Sequence, residues 1–254
     1  ILWNIDDGSK NQCMSLQMLE IAARSGTKAI FATPHVIERA NKPSWEEIKE
    51  KTQQLRQLCA EAQIDIMLYP GAEVQMNWEL LPELGATGAY CLNGGRYLLI
   101  ELPAAEIPAY ADEFWYELEL KGITPILAHP ERYQQLRENP DLLLLWRRRG
   151  MLMQCNSGSF TGMFGSSVCE NAKVLLANGL VDLLGSDGHR SEGRNTDMSR
   201  AAAVIRQLAG EEVLRQLTET NPQAILKNQE IELKQPKVLL EDKPKSFWQK
   251  LFGK

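Results

Sequence analysis

A chain of 254 residues, 44% apolar and 24% charged, has the length and composition to bury one sizeable core. Its formal charge of -5 and pI near 5.4 exclude the basic excess of an extended nucleic-acid footprint, while leaving room for phosphate recognition by a few local arginines. No apolar run reaches the roughly 20 residues of a membrane span and no signal peptide is evident. The five cysteines, Cys13, Cys59, Cys91, Cys155 and Cys169, form no Cys-x-x-Cys pair, which reads as reduced, buried thiols of a cytoplasmic protein.

In chain order, apolar Ile1-Leu2-Trp3 precedes an acidic turn, Asp6-Asp7-Gly8. Apolar residues at Met14, Leu16, Met18, Leu19, Ile21 and Ala22 predict a helix from about Asn11 to Arg24, stopped by Gly26. A strand over Thr27 to Thr33 delivers Pro34-His35. Ser44-Trp45-Glu46-Glu47 is a capping box for a helix reaching about Gln63, with Ile48, Leu55, Leu58 and Cys59 on its apolar side. The run Ile64 to Tyr69 is a further strand, and Glu73 lies just beyond it. Another strand, Tyr97 to Ile100, ends on Glu101. Pro108 to Lys121 is helical, and the strand Ile123 to Ala128 leads into His129-Pro130-Glu131-Arg132. A helix from Asp141 to Arg149 ends in Arg147-Arg148-Arg149, a basic run suited to the negative end of the helix dipole. Met151 to Cys155 forms a strand before Asn156-Ser157, and Ser166 to Asn178 forms a helix. Val181-Asp182-Leu183-Leu184 is a buried strand before Ser186-Asp187-Gly188-His189, and helices at Asp197 to Ala209, Glu211 to Leu217 and Asn221 to Leu226 complete the series.

Strand and helix alternate throughout, and chemically capable residues follow the strands. That order predicts parallel strands with helical crossovers, and six donors sharing one mouth favour a barrel over an open sheet. His35, Glu73, Glu101, His129, Asp187 and His189 are therefore candidate metal ligands. Each has a bland alternative: the glutamates as ion-pair partners, and Asp187 with His189 as a capped loop beside a surface histidine. Mixed carboxylate and imidazole donors suit zinc, manganese or iron, and a carboxylate can bridge two ions. Arg132 and Arg194, close behind two of these motifs, are candidates for gripping the oxygens of a phosphoryl group, with structural ion pairing as the alternative.

Together, Ile5-Asp6-Asp7-Gly8, Ala32-Thr33-Pro34-His35, Gly71-Ala72-Glu73, Leu99-Ile100-Glu101, Ala128-His129-Pro130-Glu131-Arg132, Asn156-Ser157 and Ser186-Asp187-Gly188-His189 resemble the polymerase and histidinol phosphatase family. Within it they are most similar to the bacterial manganese-dependent protein tyrosine phosphatases of capsule and exopolysaccharide synthesis. The resemblance spans about residues 1–227 and implies an α/β fold, a distorted (β/α)7 TIM-like barrel. It implies a centre of two or three ions, Mn2+ foremost with Fe or Zn as alternatives, in which Glu73 bridges, Glu101 and His129 complete one site, Asp187 serves another, and His35 with His189 holds the third. Arg132 and Arg194 are implied to bind substrate phosphate, with Asp7 as a candidate acid and a metal-activated water in place of a cysteine nucleophile. Cys155 then packs.

One departure stands out: the family's first strand ends in a His-x-His pair, which would fall immediately before Ile1. A lost first strand is the expected cause, with fewer bound metals as the alternative. The implied substrate is a phosphotyrosine protein, the tyrosine-rich tail of a bacterial kinase. A small-molecule phosphatase such as histidinol phosphatase, or a catalytically impaired metal-binding regulatory barrel, are the competing readings. The expected domain is 1–233. Residues 234–254 form a basic, aromatic tail that could touch an anionic membrane or pack on the barrel. No heptad or apolar stripe demonstrates assembly, although relatives allow an oligomer.

Overall fold

The computed structural model describes residues 1–85, 88–233 and 236; the predicted tail lies outside these apart from Pro236. The strands are β1 (Ala29–Ala32), β2 (His35–Val36), β3 (Met67–Pro70), β4 (Glu73–Gln75), β5 (Tyr97–Glu101), β6 (Thr124–Ala128), β7 (Leu152–Asn156) and β8 (Leu183–Gly185). The helices are α1 (Gln12–Arg24), α2 (Trp45–Glu61), α3 (Ala111–Leu120), α4 (Gln134–Glu138), α5 (Pro140–Arg148), α6 (Ser157–Phe160), α7 (Ser166–Ala177), α8 (Ser199–Ala209), α9 (Glu211–Arg215) and α10 (Asn221–Leu226). Caps set the first two as their sequences predict. Asn11 Oδ1 accepts the Met14 N–H at 2.9 Å, and Ser44 Oγ accepts the Glu47 N–H at 3.1 Å.

Every strand pairing is parallel: β1 with β3, and the series β2-β4-β5-β6-β7-β8. The two groups share one register. Ala32 faces Pro70 and, past a short gap, His35 faces Glu73 at the same offset. β1 with β2, and β3 with β4, are thus two strands each broken once. Pro34 has no N–H to give the ladder, and its carbonyl still accepts the Glu73 N–H at 3.0 Å. Gly71 marks the break in the other strand, where an added Cβ would meet Leu92 Cδ2 at 2.6 Å. Glu73 therefore opens a strand segment and does not simply trail one. The result is a parallel sheet curled into a half-barrel, with helices outside.

Both faces of the sheet are buried, which is why its strands read as continuous apolar runs. Leu98, Ile100, Leu127, Met153, Cys155 and Leu184 face the helical layer. The alternate residues Tyr97, Leu99, Ile126, Ala128, Leu152 and Leu183 form a smaller core inside the curl, completed by Leu92 and Ile225.

Two expectations need correction. Of the basic run at the end of α5, Arg147 is buried and paired with Asp182, while Arg149 reaches Asp112 at 3.5 Å; the run does more than complement a dipole. The cysteines are all free, and Cys59, Cys91 and Cys155 are buried, but Cys13 is exposed on the first turn of α1. No helix among the described residues is long and apolar enough to cross a membrane.

Candidate metal centre

Strand period places the site. Residues two apart share a face, so the inward set Tyr97, Leu99 continues to Glu101, Leu152 continues to Asn156, and Leu183 continues past Gly185 to Asp187. The polar members fall at the carboxyl ends, where the inner apolar core stops. Two of these ends are left-handed at non-glycine residues, His129 with φ 37° and Asp187 with φ 50°. Such conformations are unfavourable for side chains with a Cβ and gather at functional sites.

His35 and His189 face each other with ring centroids 5.6 Å apart. Asp7 joins them, its Oδ1 lying 3.4 Å from His35 Nδ1 and 3.5 Å from His189 Nε2, and its side chain is 73% exposed. Asp6 is the buried partner. Its Oδ2 accepts the His35 N–H at 3.0 Å and lies 3.4 Å from His35 Nδ1, while Oδ1 accepts the Gly8 N–H at 2.9 Å. Burial works against charge on both groups, but the bonds from His35 outweigh it and hold the Asp6 carboxyl far below its ordinary range. The bond to Asp6 and the nearby Glu73 and Glu101 charges likewise overcome burial at His35 and raise its pKa to about 9.

Deeper in the mouth, Glu73 Oε1 meets His129 Nε2 at 3.0 Å, and Glu101 Oε2 is 3.9 Å from the same nitrogen. Burial pushes Glu73 up, yet the His129 contact holds it below the usual carboxylate range, and His129 is raised in return against its own burial. At Glu101 the balance goes the other way, against the pull of the His35 and His129 charges. Burial and the Glu73 charge raise it, with a bond from Gln75 Nε2 at 3.4 Å as partial relief.

Asp187 gathers the third group. Its Oδ2 accepts from Arg132 Nη1 at 3.2 Å, from Asn156 Nδ2 at 2.5 Å and from Arg194 Nη2, and its Oδ1 is 3.5 Å from His189 Nδ1. Asn156 is itself fixed by Glu131. The fully buried Glu131 carboxylate accepts the Asn156 N–H at 2.9 Å and the Ser159 hydroxyl at 2.6 Å.

The structure thus brings all nine sequence-predicted residues into one connected set. His35, Glu73 and Glu101 present donor atoms within 4.8 Å of one another, as do Asp7, His35 and His189. Crowded buried carboxylates beside imidazoles, with the His129 Nδ1 lacking any hydrogen-bond partner among the described residues, fit one or more divalent cations. Glu73, Glu101, His35, His129, His189 and Asp187 are the donors that would hold them. Sequence reasoning passed over Asp6 in favour of Asp7, and it missed the roles of Glu131 and Asn156. Each carries a weak signal: an acid after an apolar residue in Ile5-Asp6, and polar residues directly at strand ends.

A curled parallel sheet carrying a carboxylate–imidazole centre at its mouth, flanked by two arginines, is the class of site that serves metal-dependent hydrolysis. The chain belongs to the CpsB/CapC family, described as capsular polysaccharide synthesis, whose profile matches residues 1–227. Over 231 residues it is 34% identical to the tyrosine-protein phosphatase YwqE of Bacillus subtilis, covering 91% of each chain. It is 28% identical to the tyrosine-protein phosphatase CpsB of Streptococcus pneumoniae over 90% of this chain and 96% of that one. Among solved structures, it superposes with a TM-score of 0.87 and 32% identity, over 94% of this chain and 97% of the other, on one from a study of YwqE and CpsB as metal-dependent tyrosine phosphatases.

Proposed function

We propose that this protein is a metal-dependent protein tyrosine phosphatase built on a distorted (β/α)7 barrel. The observation that carries the reading is the convergence of six metal-type donors and two arginines at one strand-end mouth, in a chain whose relatives bear that activity in their names. Glu73, Glu101, His129, His35, His189 and Asp187 hold two or three ions, Mn2+ foremost, with Fe or Zn as alternatives. Bound there, such ions supply Lewis acidity and an activated water, the help that a slow phosphate monoester hydrolysis most needs.

The chain's own groups do the rest. Arg132 and Arg194 present their guanidinium groups side by side, tethered to one oxygen of Asp187. A phosphate arriving there meets two cations already aimed, which lowers the reorganisation needed to neutralise its oxygens. Asp7, exposed and beside both histidines, is placed to deliver a proton to the departing phenolate, whose own pKa of roughly 10 makes that demand modest.

The substrate is a phosphotyrosine protein, and by kinship the tyrosine-rich tail of a bacterial kinase controlling capsule or exopolysaccharide synthesis, met in the cytoplasm. The basic tail, residues 234–254, brings the enzyme to the inner membrane face, and an oligomer is compatible with this role. Metal content by elemental mass spectrometry, alongside hydrolysis of a phosphotyrosyl peptide and of histidinol phosphate with added Mn2+, tests the reading. Two or three ions per chain, turnover of the peptide, and loss of turnover in Asp187→Ala are expected. A metal-loaded chain that cleaves only the small molecule, or neither, sinks the proposal.

A further inference from the structure

Between β7 and α7 the chain makes a tight excursion, Thr161 to Gly165, that the phosphatase chemistry does not by itself require. Gly162 (φ 81°) and Gly165 (φ 92°) take left-handed backbone on either side of Met163 and Phe164, so the two large side chains are presented from a turn closed at both ends. The Met163 N–H donates to the Gly158 carbonyl at 3.0 Å. Gly158 is also where the loop presses closest: an added Cβ would lie 2.9 Å from Met163 Sδ and 3.1 Å from Phe164 Cε2. The Phe164 ring is thereby set against the mouth of the sheet. Arg132 Cζ stands 4.7 Å from its centroid and Arg194 Cζ stands 5.7 Å from it.

Arg132 follows β6, Phe164 follows β7 and Arg194 follows β8, three neighbouring strands, so the aromatic ring comes from the middle loop and lies near both cations, which the loops on either side supply. Among the described residues, Asp187 is the one ion-pair partner of each guanidinium. Both arginines share a single oxygen of it. A phosphate that draws their N–H groups toward itself must loosen that shared contact, and two like charges would then be free to swing apart. The π face of Phe164 opposes this, because its attraction for a cation does not compete for N–H donors.

We infer that Phe164 is the positioning residue that keeps Arg132 and Arg194 together as one phosphate clamp, an inference that rests on the phosphatase reading. Leucine at this site keeps the apolar bulk but removes the π face, whereas tryptophan keeps the face. The Mn2+-loaded full chain is titrated with inorganic phosphate by calorimetry and assayed with a phosphotyrosyl peptide. In Phe164→Leu the dissociation constant for phosphate and the KM rise together by about five- to thirtyfold, with kcat within about twofold, the size expected from losing two partly exposed cation–π contacts. Phe164→Trp restores both, and the metal count is unchanged throughout. Gly158→Ala, which displaces the ring without deleting it, moves the same two constants in the same direction and carries the test if Phe164→Leu does not fold, as judged by its melting curve. A folded Phe164→Leu with wild-type phosphate affinity and KM, or a Phe164→Trp that fails to recover them, overturns the inference alone. A wild-type chain that neither binds phosphate nor cleaves the peptide overturns the phosphatase reading beneath it.

Discussion

Replacing Arg147 by methionine isolates one buried charge. Arg147 Nη1 donates to Asp182 Oδ2, and the same carboxylate oxygen accepts the Met153 N–H at 2.8 Å. Weaker contacts from the guanidinium reach the carbonyls of Gly179 at 3.4 Å and Met151 at 3.5 Å. The two side chains are 3% and 6% exposed, so water cannot replace either partner. The pair joins the end of α5 to the neighbouring strands β7 and β8, and α10 is tied to the same residue through Asn221 Nδ2 on the Asp182 carbonyl at 2.8 Å. With Arg147→Met the flexible apolar side chain follows much of the old path, but the Asp182 carboxylate loses its cation and keeps the Met153 N–H. Breaking such a pair from one side costs about 3–5 kcal/mol, because an uncompensated charge stays buried. For a chain of this size, where 1 kcal/mol moves the midpoint by roughly 2–4 °C, the melting temperature should fall by roughly 6–20 °C. Arg147→Met with Asp182→Asn removes both charges and should recover most of the loss. Thermal unfolding followed by circular dichroism, on all four members of the cycle, reads this directly. An Arg147→Met chain within about 1 kcal/mol of wild type, or a double variant no better than the single, would refute the buried-pair reasoning.

Two further outcomes follow from the site and the tail. In the metal-free protein His35 is raised from 6.5 to about 9, so its contribution is complete below pH 6.5 and is lost as pH rises through about 9. The His35 share of metal-free stability should therefore decline by about 3 kcal/mol across that window, while Mn2+ affinity rises over the same range, since a proposed ligand has to shed its proton to bind. Parallel melting curves and metal titrations from pH 6 to 9 check this, and a metal-free chain whose stability climbs toward pH 9 would contradict it. For the tail, sedimentation with anionic liposomes should retain the full chain and release one ending at residue 233; equal retention removes the membrane role.

Much of the fold was legible because local pattern carries it. Caps at Asn11 and Ser44 begin helices where their side chains can bond the open N–H groups, and glycines such as Gly26 and Gly122 follow their ends. Runs such as Tyr97 to Ile100 are apolar at every position because both sheet faces are covered, and an acid directly after such a run announces a mouth residue. Glu101 is found this way; Asp187 stands two residues past the end of β8, and His35, read from the sequence as trailing a strand, opens β2.

Local pattern carried the alternation of strand and helix, the positions of the main helices and the polar residues near strand ends, since each depends on neighbours within a few residues. Tertiary structure alone decided which acid of the pair Asp6-Asp7 is buried against His35, that Arg147 is spent on Asp182, and that Glu131 supports Asn156. It alone set Phe164 beside two arginines from neighbouring loops. Those pairings join segments far apart in the chain. Local periodicity says which face a side chain takes, but which distant group meets it there depends on how tightly the sheet curls and how its loops pack.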